Sequence, residues 1–243
     1  MTEELASTRL GMLTPSSNTV LEPLTAAMLA DLPDVSAHFG RFRVLKISMD
    51  DDALGQFTND PMLAAAELLA DAQVQSICWN GTSSGWLGFD TDRALIAEIE
   101  ARTGVRACSA VLGMNEIIGR LGAKRLAFVT PYLPEIQSAI LANYRSEGFE
   151  VVAERHLNDA GNYSFATYSQ AQILDMCRAV AADKPDAIAV FCTNFRGAGV
   201  AEIIEAETGI PVLDSVSTAL WTSMRTAGAD PARVRGWGRL YDA

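Results

Sequence analysis

The chain has 243 residues, of which 49% are hydrophobic and 20% charged, a composition typical of a globular protein that can bury a full core in one or two domains. Its 30 acidic residues outnumber its 19 basic ones, the net charge is −11, and the lysines and arginines are dispersed. Nucleic acid and anionic membranes are therefore poor candidate partners.

The N-terminal stretch MTEELASTRLGML is acidic before a short apolar run, the reverse of a signal peptide. No apolar stretch of the sequence reaches the roughly 20 residues that a membrane span needs. We therefore expect a cytoplasmic protein. The 4 cysteines have no CxxC spacing and there are 2 histidines, so the sequence indicates neither a disulfide framework nor a metal site.

Strand-like apolar runs alternate with amphipathic helix-like segments, the pattern of βα units and a parallel sheet. The predicted strands are Arg9–Thr14, Arg41–Ile47, Gln75–Trp79, Ala107–Ser109, Arg125–Thr130, Glu150–Glu154, Ala187–Cys192 and Val212–Asp214. The predicted helices lie near Thr19–Ala30, Pro61–Asp71, Thr91–Arg102, Ala110–Arg120, Pro134–Ser146, Ala166–Ala182, Gly197–Glu207 and Ser217–Ala227.

An internal repeat is visible in this alternation. The sequence RLGMLTP of Arg9–Pro15 recurs as RLAFVTP in Arg125–Pro131, each a strand that ends in Thr-Pro before a helix. Likewise, EARTGV of Glu100–Val105 recurs as EAETGI in Glu205–Ile210, each a helix that ends at a glycine before the next strand. The chain is therefore interpreted as two related α/β halves.

The repeat also predicts the division of the chain. The first α/β half is expected to span residues 1–115 and to be completed by the C-terminal helix, about residues 217–243. The second half is expected to span residues 116–216.

In open α/β sheets, ligands bind beyond the carboxyl ends of the strands, where helix N-termini offer free backbone N–H groups. Two such halves facing each other would enclose a small anionic ligand. The loops after Thr14, Asn80, Thr130 and Phe191 are then expected to converge on one cleft. The alternative is that the halves lie side by side without a shared site.

Cys192 ends an apolar strand and precedes Thr-Asn-Phe-Arg-Gly, small and polar residues that would start a helix. A helix dipole and solvent access would make such a thiol reactive, whereas burial would make it structural. Cys78, Cys108 and Cys177 lie within apolar segments and are predicted to be core residues.

Two turns supply hydroxyl groups and backbone N–H groups at strand ends. Gly81–Gly85 (GTSSG) suits a carboxylate or a developing enolate oxygen, although capping of a helix by Ser83 or Ser84 explains it equally well. Pro15–Thr19 (PSSNT) has the same two interpretations, an anion-holding turn or a helix N-cap.

Tyr132 follows the second Thr-Pro and is the repeat counterpart of Ser16, so its hydroxyl is a candidate to reach the cleft from the second half. The alternative is an interfacial tyrosine without a catalytic part. Asn162 lies in a turn-rich loop, where asparagine is usually present for backbone reasons. His38 and His156 have no acid or nucleophile at motif spacing and are assigned no chemistry.

Together, the loop at 15–19, the turn at 81–83, the Thr-Pro-Tyr turn at 130–132 and Cys192 resemble the aspartate/glutamate racemase superfamily. The closest branch is that of the maleate cis-trans isomerases and arylmalonate decarboxylases. The resemblance implies two Rossmann-like (flavodoxin-like) halves related by a pseudo-twofold axis, each a parallel sheet flanked by helices. It also implies a small carboxylic acid as substrate and no cofactor; a homo-oligomer is an open possibility.

Racemases and isomerases of the superfamily place one cysteine on each half. In this sequence the second position is Cys192, and the first is Gly81. Arylmalonate decarboxylases similarly have Gly-Thr-Ser at the first site. The resemblance implies that Cys192, Thr82, Ser83 and Tyr132 are catalytic, and that Pro15, Ser16, Ser17, Asn18, Gly81, Asn162 and Thr193 bind substrate.

The leading hypothesis is a cofactor-independent carbon–carbon lyase that acts on a malonate-type acid through an enediolate. One carboxylate would be held by the hydroxyl groups, and the other would lie against apolar side chains such as Trp86 and Leu87. The alternatives are an isomerase or racemase, and a non-catalytic carboxylate-binding protein. Arg196 could meet a second carboxylate, but pairing with Glu202 or Glu205 is the simpler expectation.

Overall fold

The computed structural model of the chain describes residues 7–44 and 59–243. Within these ranges the chain forms two four-stranded parallel sheets with helices packed against them. The first set of elements is β1 (Thr8–Pro15), α1 (Leu21–Met28), β2 (Val35–Phe42), α2 (Asn59–Asp71), β3 (Ser76–Trp79), α3 (Ser84–Leu87), α4 (Phe89–Thr103), β4 (Ala107–Ser109) and α5 (Ala110–Arg120). The second set is β5 (Arg125–Thr130), α6 (Pro134–Ser146), β6 (Glu150–His156), α7 (Gln170–Ala181), β7 (Ala187–Val190), α8 (Ala201–Thr208), β8 (Val212–Asp214) and α9 (Ser215–Ala227).

The two sheets have the same strand order. It is β2-β1-β3-β4 in the first sheet and β6-β5-β7-β8 in the second, so β1 and β5, which carry the repeated sequence, occupy equivalent places. Every residue of β3 and β7 is buried, as expected for inner strands of a parallel sheet that is covered by helices. The predicted fold class, two related α/β halves with one parallel sheet each, is confirmed.

The repeated helix ends also match in detail. Gly104 and Gly209 adopt left-handed φ values of 69° and 74° and close α4 and α8. Each donates its N–H to the carbonyl of Glu100 or Glu205, four residues earlier. The carboxylates of these two glutamates accept the first N–H of the following strand, at 2.9 and 3.0 Å. The same glycine conformation and the same glutamate hydrogen bonds therefore end a helix and begin a strand in both halves.

The predicted strand Arg41–Ile47 is wrong. The strand in this region is β2, Val35–Phe42, and residues 45–47 lie outside the described residues. β2 lies at the edge of its sheet, and most of its side chains are only half-buried. An edge strand of this kind lacks the continuous apolar run on which the prediction relied.

Three further predicted elements are shorter than expected. The strand from Ala187 ends at Val190, two residues before Cys192. The predicted helix Gly197–Glu207 is a 3₁₀ turn, Ala198–Val200, followed by α8. The predicted helix Ala166–Ala182 starts only at α7, because a capping box formed by Ser169 and Gln172 fixes its first turn.

The last helix, α9, packs against the first sheet. Ser223 Oγ lies 3.0 Å from Ser76 Oγ of β3, and Thr218 Oγ1 donates to the Ala110 carbonyl at 3.2 Å. The division into residues 1–115 with 217–243, and residues 116–216, remains a prediction. In the part of the chain that the structure describes, no helix combines the length and apolar character that crossing a membrane requires.

Candidate active site

The sheet register brings the candidate loops together in pairs. Leu13 of β1 pairs with Trp79 of β3, and Val129 of β5 pairs with Val190 of β7. Because the paired strands are parallel and in step, the residues after each pair leave the sheet side by side. The loops after β1 and β3 are therefore adjacent in one half, and those after β5 and β7 are adjacent in the other.

These loops enclose a small cavity, here called the Cys192 crevice, with a volume of about 20 Å³. All four predicted loops contribute to its lining. Seven residues singled out from the sequence line it: Pro15, Gly81, Thr82, Tyr132, Asn162, Cys192 and Thr193. Among the described residues, two that were not singled out also line it, Val44 and Trp79. The volume is close to that of a single water molecule.

A short hydrogen bond joins the two halves at the crevice. Thr82 Oγ1, after β3, lies 2.6 Å from the Tyr132 hydroxyl, after β5. The Tyr132 ring packs edge-on against Trp86 and Phe165, with centroid distances of 5.4 Å in both cases. Burial, and then the neighbouring Cys192, raise the pKa of Tyr132 well above its usual value, so the hydroxyl remains a neutral donor.

Cys192 faces the crevice without the helix N-terminus that the sequence suggested. A turn and the 3₁₀ segment separate it from the first residue of α8, so no helix dipole acts on the thiol, and its side chain is buried rather than accessible. Burial raises the pKa of the Cys192 thiol to about 12, although hydrogen bonds with the Tyr132 side chain and the Asn194 backbone act in the opposite direction. Of the two alternatives that the sequence left open, burial therefore describes the surroundings of Cys192 better than a helix N-terminus does, and a pKa of about 12 makes the group a thiol at neutral pH.

Thr193, next to Cys192, connects the two halves through hydrogen bonds of its hydroxyl group. Its hydroxyl donates to the Asn80 carbonyl at 2.9 Å and accepts from Asn18 Nδ2 at 3.2 Å. Asn18 Oδ1 accepts the N–H groups of Val20 and Leu21, both at 2.9 Å, where α1 begins. The helix-capping alternative therefore describes the carbonyl end of Asn18, while its amide end points to Thr193.

The serines of the first loop are engaged with the chain itself. Ser17 Oγ donates to the Val44 carbonyl at 2.7 Å, and Ser16 Oγ accepts the Val44 N–H at 3.2 Å. Asn162 Nδ2 donates to Ser17 Oγ at 2.9 Å, so the turn-rich loop of the second half meets the serine loop of the first. Arg41 Nη1 donates to the Ser16 carbonyl at 2.8 Å and supports the loop from outside.

Ser83 lies on a different cavity, here called the neighbouring cavity, with a volume of about 260 Å³. Its lining is mostly apolar: Met62, Trp79, Ser83, Leu87, Thr91, Asp92, Ala94 and Leu95. Leu87 thus faces this cavity, and Trp86 packs on the Tyr132 ring. The apolar side chains that the Cys192 crevice does contain are those of Val44 and Trp79 rather than the expected Trp86 and Leu87.

Two residues that the sequence interpretation missed hold the site together. Asn194 Oδ1 accepts the Thr19 N–H at 2.9 Å, and its Nδ2 donates to the Asn162 carbonyl at 2.6 Å, so one side chain joins both loops. Trp79 ends β3 two residues before Gly81. Alternation along an extended chain places residues i and i+2 on the same side, a signal that could have identified Trp79 as a neighbour of the site.

The other three cysteines are buried core residues, as predicted. Cys78 pairs with Cys108 in the register of β3 and β4, and Cys177 lies on the buried face of α7. All four cysteines of the chain lie in the described residues and are free thiols. Arg196 is exposed and donates to the Ala166 carbonyl at 3.3 Å, while Glu205 pairs with Arg239 instead.

The described lining residues of the crevice are polar or apolar but carry no formal charge. The described residues that line it offer hydroxyl, amide and thiol groups between the apolar faces of Val44 and Trp79. Within residues 7–44 and 59–243, no three His, Cys, Asp or Glu side chains are grouped so that they could hold a metal ion. Neutral donors around a protonated thiol can hold a carboxylate and deliver a proton to an adjacent carbon.

The sequence model of the arylmalonate decarboxylase family matches residues 10–241 of this chain. A maleate isomerase of Nocardia farcinica is 26% identical over 239 residues, covering 96% of this chain and 94% of that protein. An arylmalonate decarboxylase of Bordetella bronchiseptica is 25% identical over 252 residues, covering 99% of both.

The fold has the same relatives. A solved structure of the Nocardia farcinica maleate cis-trans isomerase, a cysteine-to-serine mutant with a covalently bound succinylcysteine intermediate, matches with a TM-score of 0.86 at 23% identity, covering 96% of this chain and 98% of that chain. The chain therefore belongs to the arylmalonate decarboxylase family, a family of enzymes whose relatives include both arylmalonate decarboxylases and maleate isomerases.

Proposed function

We propose that this enzyme decarboxylates a malonate-type dicarboxylic acid without a cofactor, and that Cys192 is its proton donor. The observation that carries the proposal is a crevice whose described lining contains one buried, protonated thiol, that of Cys192, and a glycine, Gly81. A single acid on one face suits a reaction that adds one proton. It does not suit the removal of a proton on one face and its return on the other.

The proposed reaction starts with one substrate carboxylate bound by the Thr82 and Tyr132 hydroxyl groups. The second carboxylate lies against Val44 and Trp79, where loss of hydration favours its departure. The carbon–carbon bond breaks, carbon dioxide leaves, and the bonding electron pair moves into the bound carboxylate to give an enediolate. Cys192 then transfers its proton to the former α-carbon, and solvent returns a proton to the thiolate.

The size of the crevice adds a requirement. A volume of about 20 Å³ holds about one water molecule, which is less than any dicarboxylic acid needs. We infer that substrate binding displaces lining side chains and exchanges the Thr82–Tyr132 hydrogen bond for hydrogen bonds to the substrate. The hydroxyl groups that hold the halves together are thus the proposed oxyanion donors.

The protonation state of Cys192 supports this reaction over thiol addition. A pKa of about 12 leaves the group as S–H at neutral pH, the form that donates a proton. Addition to a double bond needs the thiolate, which burial disfavours here. The same burial that weakens Cys192 as a nucleophile leaves it suited to act as an acid.

The test is carbon dioxide release from phenyl- and alkyl-substituted malonates by the wild type and by Cys192→Ala. We expect wild-type release and a loss of kcat of about 100-fold or more in the variant, the usual contribution of a positioned general acid. Cys177→Ala is the matched control, because it removes a buried cysteine outside the crevice. Undiminished release by Cys192→Ala would remove this residue from the mechanism.

A maleate isomerase is the second candidate, favoured by the relatives of that name and by the succinylcysteine in the Nocardia enzyme. This candidate predicts that the protein converts maleate to fumarate. It also predicts an adduct on Cys192 that increases the mass of the protein by one molecule of maleic acid. If carboxylates bind tightly while neither reaction occurs, and thiol alkylation has no effect on binding, the protein is instead a non-catalytic binder.

A further inference from the structure

The space beside Gly81 in the Cys192 crevice is filled by the side chain of Trp79, two residues earlier in the chain. A Cβ atom added to Gly81 would overlap the Cζ2, Cε2 and Cη2 atoms of the Trp79 indole. Gly81 and Trp79 both line the Cys192 crevice. The indole therefore occupies the space that any side chain at position 81 would need.

The indole is firmly held in this position. Trp79 is only 1% exposed, and its ring packs against Phe42 of β2 with a centroid distance of 5.3 Å. On its other side lies the neighbouring cavity of about 260 Å³, whose lining also includes Trp79. Trp79 thus borders both the Cys192 crevice and the larger neighbouring cavity.

We propose that Trp79 is a specificity-determining residue whose indole fills the space at position 81 of the Cys192 crevice, so that a bound acid exchanges a proton with Cys192 and with no group at position 81. Glycine at position 81 is then a steric consequence of tryptophan at position 79, and the two positions form one unit. The catalytic half of this proposal rests on the proposed function, whereas its steric half does not.

The steric half is tested by the thermal stability of Gly81→Ala, Trp79→Leu and the double variant. We expect Gly81→Ala to lower Tm by about 5 °C or more, as overpacking of a core does. In the Trp79→Leu background, Gly81→Ala should lower Tm by about 1 °C or less. The effects of the two substitutions on Tm would then be non-additive. Gly119→Ala is the matched control, because a Cβ there meets nothing within 4 Å and should leave Tm unchanged or slightly higher.

An equal cost of Gly81→Ala with tryptophan or leucine at position 79 would overturn the steric coupling. A Tm for Gly81→Ala that matches that of Gly119→Ala would overturn it as well, and this comparison does not require any variant of Trp79. Neither measurement depends on turnover, so both remain decisive if the protein releases no carbon dioxide from any malonate.

The catalytic half is tested with a single enantiomer of a 2-substituted carboxylic acid in deuterium oxide. Racemisation needs one thiolate to remove the α-proton and a thiol on the opposite face to return a deuteron. We expect wild type and Gly81→Cys to racemise the acid at least 10-fold more slowly than Trp79→Leu/Gly81→Cys. Only the double variant has space for a second sulfur at position 81. Rapid racemisation by Gly81→Cys alone, or none by the double variant while it still releases carbon dioxide, would overturn the role of Trp79.

Discussion

The hydroxyl group of Tyr132 is fixed from three directions. Thr82 Oγ1 lies 2.6 Å from its oxygen, and the rings of Trp86 and Phe165 pack against its own ring. The two ring contacts persist when a substrate oxygen replaces Thr82 as the partner of the hydroxyl group, so the donor is already oriented when charge develops on that oxygen. In the proposed reaction, the oriented neutral donors and the Cys192 thiol therefore make contributions of similar size.

We expect Tyr132→Phe to lower the kcat of malonate decarboxylation by about 100-fold, the usual effect of losing one oxyanion donor. Its unfolding free energy should fall by about 1 kcal/mol, because one buried hydrogen bond is lost. Tyr144→Phe is the control: its hydroxyl donates to Asn115 Oδ1 at 2.8 Å, away from the crevice. Steady-state kinetics and urea unfolding of both variants decide the matter, and similar activity losses would contradict a special role for Tyr132.

The residue types of the site could be predicted from the sequence, but its contacts could not. The positions of Thr82, Tyr132 and Cys192 at strand ends follow from the apolar runs before them. The cross-half bonds of Asn194 depend on how two distant loops meet, and no local pattern encodes that. The burial of Cys192 stayed an open alternative for the same reason: the sequence shows a polar segment but not what covers it.

At the scale of elements, the chain uses the same helix end twice. Gly104 and Gly209 share left-handed φ values, and the glutamates that precede them share hydrogen bonds to the next strand. These short motifs were predictable because glycine at a helix end is a local signal. The edge strand β2 was not, since its half-buried side chains give a weak pattern and its pairing is with a distant part of the chain.

We expect Gly104→Ala and Gly209→Ala each to lower the unfolding free energy by about 1 kcal/mol, because a Cβ is disfavoured at positive φ. The costs should be similar and should add in the double variant, because the two glycines end helices that pack against different sheets. Gly119→Ala, inside α5 without positive φ, should be neutral or stabilising. Chemical denaturation measures all four, and a much larger cost at one site would show that the two helix ends differ in function.

At the scale of the whole molecule, two buried carboxyl groups link stability to pH. Burial raises the pKa of Asp92 to about 6 and that of Asp214 to about 7. The folded chain therefore holds these protons more tightly than the unfolded chain does. The stability they confer is complete below pH of about 4 and is lost as the pH rises through these folded values.

We expect the protein to be more stable at pH 5.5 than at pH 7.5, with about 2 kcal/mol of the difference due to Asp214. Asp214→Asn should remove most of that contribution while it keeps the oxygen that accepts the Val216 and Ser217 N–H groups at the start of α9. Asp92→Asn should remove less, because the pKa of Asp92 is lower. Urea midpoints at the two pH values measure this, and an unchanged pH dependence in Asp214→Asn would refute the assignment.

The hydrogen bond between Thr82 and Tyr132 has a consequence for which molecules the enzyme accepts. A guest that inserts between these hydroxyl groups must first separate them, and a neutral guest regains at most bonds of equal strength. Hydrogen bonds to a carboxylate are roughly twice as strong as those between neutral groups. Only an anion therefore gains more from the new hydrogen bonds than is lost when the hydroxyl groups separate. If the proposed function holds, the paired hydroxyl groups of Thr82 and Tyr132 would favour anions in a pocket that has no cation of its own among its described lining residues.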